Sequence, residues 1–130
     1  MLTLHHVQVS MPEGREDDAR RFYRDALGLD EVAKPGVLAQ RGGAWFRAFA
    51  ADGAVAAEIH LGIDEPFVPA KKAHPALVVE STAALEALAA RIEGAGFDVN
   101  WAERHTLDGY ERFHCRDAFG NRVEVLTPEL

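Results

Sequence analysis

A histidine at the start of an apolar strand, a helix closed by Gly-Leu/Phe-Asp, and a glutamate inside a later apolar strand occur twice in this chain. His6 returns as His74 and Gly28-Leu29-Asp30 as Gly96-Phe97-Asp98 at one common spacing, and Glu58 returns as Glu124 at nearly the same one. Self-similarity at a fixed spacing dictates architecture, and two copies of one half-fold normally pack about a pseudo-twofold axis. Such an axis would draw two imidazoles and two carboxylates together, which is the composition of a metal site.

At 130 residues the chain fits one compact domain, 1–130, read as module one at 1–64, a connector at 65–73 and module two at 74–130. No stretch reaches the roughly 20 uninterrupted apolar residues of a membrane span, and Met1-Leu2-Thr3-Leu4-His5 lacks the basic and apolar regions of a signal peptide. A cytoplasmic address is the expectation, and the lone Cys115 agrees with a reducing compartment. Fourteen Lys plus Arg against 21 Asp plus Glu give a net charge of −7. That field repels a phosphate backbone, so no nucleic-acid partner is expected, whereas a cationic small molecule would be attracted.

Each module reads as strand, helix, then a strand meander. Leu4 to Ser10 is a strand, and Arg15 to Leu27 is an amphipathic helix with Ala19, Phe22, Tyr23, Ala26 and Leu27 on one side. Leu29–Ala33, Val37–Gln40, Trp45–Ala50 and Val55–Ile63 follow as strands separated by Pro35-Gly36, Gly42-Gly43 and Asp52-Gly53 turns. In module two, Ala76–Glu80 is a strand, and Ser81 caps a helix with Leu85, Leu88, Ala89 and Ile92 as its stripe. Phe97–Trp101, Tyr110–Arg116 and Arg122–Leu126 complete the second meander.

Successive strand residues point to opposite faces, so parity decides which side chains can meet. His6 and Gln8 share a face opposite Val7 and Val9; Glu58 and His60 oppose Ile59 and Leu61; Glu124 opposes Val123 and Val125. Each module then has an apolar face for its helix and a second face carrying the His or Glu. Two imidazoles and two carboxylates suit a borderline divalent ion (Zn, Fe, Mn, Ni or Co) and leave a position for water or substrate. His60, two residues from Glu58 and on the same face, competes with it as ligand; the repeat favours Glu58, because Glu58 matches Glu124 while His60 matches Leu126. Tyr110, Arg112, His114 and Arg116 form a polar face read as solvent-directed; turned inward, Arg112 or His114 would orient an anionic substrate or move protons. Trp45, Phe46, Arg47 and Trp101 are candidates for the cavity mouth, His5 reads as structural or exposed, and His105 as a loop residue without a role. No phosphate-binding glycine fingerprint, nucleophile elbow or Cys-x-x-Cys pair is present.

Leu4-His5-His6-Val7, the helix Ala19-Arg20-Arg21-Phe22-Tyr23-Arg24-Asp25-Ala26-Leu27-Gly28-Leu29, Ala57-Glu58-Ile59, Ala73-His74-Pro75-Ala76-Leu77 and Asp117-Ala118-Phe119-Gly120-Asn121-Arg122-Val123-Glu124-Val125 span nearly the whole chain. Together they resemble the vicinal oxygen chelate superfamily, which includes glyoxalase I, fosfomycin-resistance proteins, extradiol dioxygenases and bleomycin-resistance proteins. The resemblance implies an α+β fold, two paired βαβββ modules forming a half-open mixed β-barrel with a helix outside each half, and commonly a homodimer. By position, His6, His74 and Glu124 match the metal ligands of metal-dependent members, and Glu58 the fourth ligand of glyoxalase-I-like ones. Ala118 departs from the proline usual in the closing motif, which touches turn rigidity. The implied function is a metal-dependent lyase or isomerase of glyoxalase type, its substrate chelated through vicinal oxygens, with Glu124 or Glu58 as the base and His60, Gln8, Arg112, His114 and Trp45 as substrate contacts. The alternatives are a metal-independent, bleomycin-resistance-like binding protein and a small Fe(II) extradiol-type dioxygenase using His6, His74 and Glu124.

Overall fold

The structure is a computed structural model describing residues 1–130. It is α+β and consists of two compact units, Met1–Pro69 and Ala70–Leu130, each a βαβββ module. In the first, β1 (Val7–Met11) runs parallel to β4 (Val55–Ile63), which pairs antiparallel with β3 (Ala44–Phe49), itself antiparallel to β2 (Asp30–Val32). The second repeats this order: β5 (Ala76–Val78), β8 (Arg122–Pro128), β7 (Tyr110–Arg116), β6 (Val99–Asn100). Both sheets are mixed, and neither closes on itself.

The helix of the first unit begins as α1 (Glu16–Arg20) and continues as a π-helical stretch, Arg21–Ala26, where a regular α-helix was expected. The Leu27 N–H reaches the Phe22 carbonyl at 2.8 Å, five residues back. The wider turn keeps residues four apart on one side, so Phe22 with Ala26 and Tyr23 with Leu27 all face inward. Tyr23 stacks on Phe46 of β3, with centroids 5.6 Å apart, and Val9, Met11, Ala44, Ile59 and Leu61 are buried with them. In the second unit α2 (Thr82–Gly94) starts where the sequence placed it, the Ser81 hydroxyl accepting the Ala84 N–H at 3.0 Å. Its Leu85, Ala89 and Ile92 are buried, as are Phe113, Cys115, Val123 and Val125 of the sheet. Each fully buried large side chain contributes roughly 1.5–3 kcal/mol.

Two further expectations change. Val37–Gln40 forms no strand: Gly36–Gln40 is a 3-10 turn, because four residues between two turn signals find no sheet partner and leave Val37 exposed. β1 starts at Val7, so His6 lies just before the strand. The Asp117–Asn121 turn is held by its own side chains. The Asp117 carboxylate accepts the Phe119 and Asn121 N–H groups at 2.8 and 2.9 Å and the Asn121 amide at 2.9 Å. Asn121 in turn accepts the Ala70 N–H at 2.9 Å, so the turn is anchored although alanine stands at 118.

Candidate functional site

In each unit the sheet face away from the helix carries a buried carboxylate on its fourth-in-order strand, Glu58 on β4 and Glu124 on β8. What surrounds each follows from cross-strand register. Glu58 stands directly opposite Arg47, and Glu124 directly opposite His114.

In the second unit three nitrogens converge on one oxygen. Glu124 Oε1 lies 2.9 Å from His114 Nε2, 3.1 Å from His74 Nε2 and 3.1 Å from Arg112 Nη1. One ligand atom each from His74, His114 and Glu124 can be chosen so that all lie within 4.8 Å of one another. Burial, then the Arg122 charge, pushes the His114 imidazole below its ordinary value against the pull of Glu124, which keeps it neutral and fit to ligate. His74 Nδ1 lies 2.7 Å from the Lys72 carbonyl, which can only accept, so Nδ1 carries the proton. With Nδ1 held in this way, His74 presents Nε2 toward the Glu124 carboxylate, the arrangement of a ligating imidazole oriented by a backbone carbonyl. The donor set therefore fits a borderline divalent ion. Arg112 also donates to Thr106 Oγ1 at 2.7 Å, fixing its fork over the site. The polar face of β7 thus turns inward at Arg112 and His114, not to solvent as expected, because both faces of β8 are buried and Glu124 needs donors.

The first unit is arranged differently. Glu58 accepts Arg47 Nε at 2.7 Å and His60 Nε2 at 2.5 Å. Burial pulls its carboxyl upward, but these hydrogen bonds and the Arg47 charge outweigh burial and hold it below the usual carboxylate value. Burial also lowers the His60 imidazole, the Glu58 hydrogen bond opposing, and the His6 charge adding to the drop. His60 is sandwiched: Trp45, its cross-strand neighbour, stacks at 3.8 Å and His6 at 4.1 Å. The His6 Nδ1 lies 2.9 Å from that of the exposed His5. These groups line an open cavity of about 710 Å³ together with Gln8 and with Lys34 and Arg41 from the loop after β2.

Of the four residues singled out as ligands, His74 and Glu124 meet each other, His6 meets His60, and Glu58 meets Arg47 and His60. His114 beside Glu124 was read as a substrate contact or proton mover and not as a ligand. Its place was readable from the hairpin, since a turn centred on Phe119 puts residues 114 and 124 opposite each other. Lys34 and Arg41 carried no sequence signal. Trp101 packs on Phe113 and under Arg104, and His105 is exposed near Glu129, so neither joins these clusters.

A model described as Glyoxalase/Bleomycin resistance protein/Dioxygenase superfamily matches residues 3–125. No curated protein matches the chain. Among solved structures, a Bacillus anthracis protein assigned to the glyoxalase family is 34% identical with a TM-score of 0.84, over 99% of this chain and 97% of that one. An antibiotic binding protein from Streptomyces (24% identity, TM-score 0.65, 99% of each chain) shares the fold. So does a genomically encoded fosfomycin resistance protein from Listeria monocytogenes (14% identity, TM-score 0.66, 100% of this chain and 94% of that one). No helix is long and apolar enough to cross a membrane.

Proposed function

We propose, from the premise that this chain belongs to the Glyoxalase/Bleomycin resistance protein/Dioxygenase superfamily, that it is a divalent-metal-dependent lyase or isomerase of glyoxalase type acting on a small substrate with two adjacent oxygens. One observation carries this: His74, with its tautomer set by the Lys72 carbonyl, and His114 both address the buried Glu124. His74 and Glu124 would hold the ion, with His114 the third donor in reach. When bound, the ion would polarise the substrate oxygens and acidify the neighbouring C–H.

The chain's own groups divide the remaining work. Arg112 fixes the Glu124 carboxylate and offsets its charge. Glu124 Oε2 makes no hydrogen bond, so it is the carboxylate oxygen open to receive a proton. Glu58 is the other candidate base; Arg47 keeps it ionised and lowers its appetite for a proton. Untagged protein purified without chelator should carry about one equivalent of divalent metal, lost in His74→Ala and Glu124→Gln and weakened in His114→Ala. Failure of wild-type protein to take up Zn, Ni, Mn, Co or Fe(II) would overturn the enzyme reading.

A second reading, ligand holding without turnover, is favoured by the first unit. There Glu58 is already satisfied by two partners, and the cavity beside it offers mainly walls and cations. The Streptomyces relative is described as an antibiotic binding protein. Ligand binding by a protein that takes up no metal would select this reading.

A further inference from the structure

We propose that the cavity of the first unit is a binding site for a small organic acid, its carboxylate held by Arg41 and its compact apolar body lying against Trp45 and Leu38. Charge is the first argument. The chain as a whole carries −7, yet this cavity is lined by three cations, Lys34, Arg41 and Arg47, against one carboxylate, Glu58. That carboxylate is spent, accepting Arg47 at 2.7 Å and His60 at 2.5 Å. Arg41 has no carboxylate partner, and a guanidinium presents a planar fork that matches a carboxylate in bidentate fashion.

The loop is also built to keep these cations in place. The Lys34 ammonium donates to the carbonyls of Arg41 and of Gly42, the latter at 2.9 Å, closing residues 34–42 into a fixed rim. It has three donors, so one remains for a ligand. Pro35, Leu38, Leu61 and the Trp45 indole supply apolar wall, and about 710 Å³ lies within the usual range for small-molecule sites. Arg47 and Glu58 offset each other, so a cation would meet net repulsion from Lys34 and Arg41, and the attraction of cationic molecules expected from net charge does not extend into this cavity. A neutral ligand would leave the Arg41 fork unmatched. Every residue in the argument belongs to the first unit, so the site stands whether or not the second binds metal.

The test compares two probes with the same body and opposite charge, 4-phenylbutyrate and 4-phenylbutylammonium. Each is titrated into the whole chain, stripped of metal on a chelating resin, while amide and indole signals are followed by two-dimensional NMR. Saturable shifts of the Trp45 indole and of residues 34–42 are expected with the acid, with binding at least about tenfold tighter than the amine's. Arg41→Ala should weaken the acid about tenfold, and Arg41→Lys should recover part of the loss. Equal or tighter binding of the amine, no saturable shift with the acid, or unchanged affinity in Arg41→Ala would each overturn the proposal. Because metal is absent throughout, failure here leaves the metal reading of the second unit standing, and the reverse also holds.

Discussion

Trp45 lies flat on His60, ring centroids 3.8 Å apart and planes 1° from parallel, while His60 donates to the buried Glu58. The contact ties an aromatic wall of the cavity to a titrating pair, so its stability depends on pH. Burial lowers His60 from 6.5, so as pH falls the unfolded chain takes up this proton first and the folded state loses ground. His114 acts with the same sign. Glu58 is depressed from 4.5; its contribution is complete above that value and is lost as pH falls through the lower folded value. Urea midpoints should fall from pH 7.5 to 5.5 and further toward pH 4, with His60→Gln flattening the upper part. A midpoint that rises on acidification would contradict this account.

Arg47 is the only cation hydrogen-bonded to Glu58, and it reaches a carboxylate whose side chain is 3% exposed. Arg47→Met should cost about 1–3 kcal/mol in urea unfolding, because the buried carboxylate loses its arginine partner and keeps only His60. Adding Glu58→Gln to Arg47→Met should recover part of the loss. A double variant that simply sums the two single losses would show that the residues are not coupled.

Gly43 adopts φ +95, and a Cβ there would fall 2.0 Å from the Leu61 carbonyl oxygen, a rigid backbone atom. Gly53 has a similar φ of +87 but open space around it. Gly43→Ala should therefore destabilise by about 1–3 kcal/mol from backbone strain and lose more from disturbed β3–β4 pairing. Gly53→Ala should show the strain alone. Equal thermal shifts for the two variants would remove the steric argument.

Burial, and then the Asp117 charge, pushes the Cys115 thiol up to about 12. The thiolate is the reactive form, so native protein should resist iodoacetamide at pH 8 and react fully in urea, as read by mass spectrometry. Prompt alkylation of the folded chain would mean that β7 opens readily.

The sequence pattern located β4 and β7 to the residue, because apolar alternation there is bounded by turn residues on either side. Ser81 was legible for a local reason, since a cap needs only its own backbone and side chain. Val37–Gln40 was not, because a short apolar run becomes strand or 3-10 turn according to whether a neighbouring strand is available. At the site, parity grouped Arg112 with His114 correctly, but their direction depended on β8 being covered on both faces. The roles of Lys34 and Arg41 arise from how a loop folds back on its own carbonyls, and no periodicity encodes that.

The parallel pairs of the two halves differ in register. Val7 pairs with Ile59, the residue after Glu58, whereas Ala76 pairs with Glu124 itself. His6 thus stands just ahead of the position level with Ile59, while His74 stands two places ahead of the one level with Glu124. The two histidines match in sequence position but not in height on the sheet, so exchanging one half for a copy of the other would not reproduce the same chemistry. The slip between strands sets the two halves apart as much as any difference in side chain.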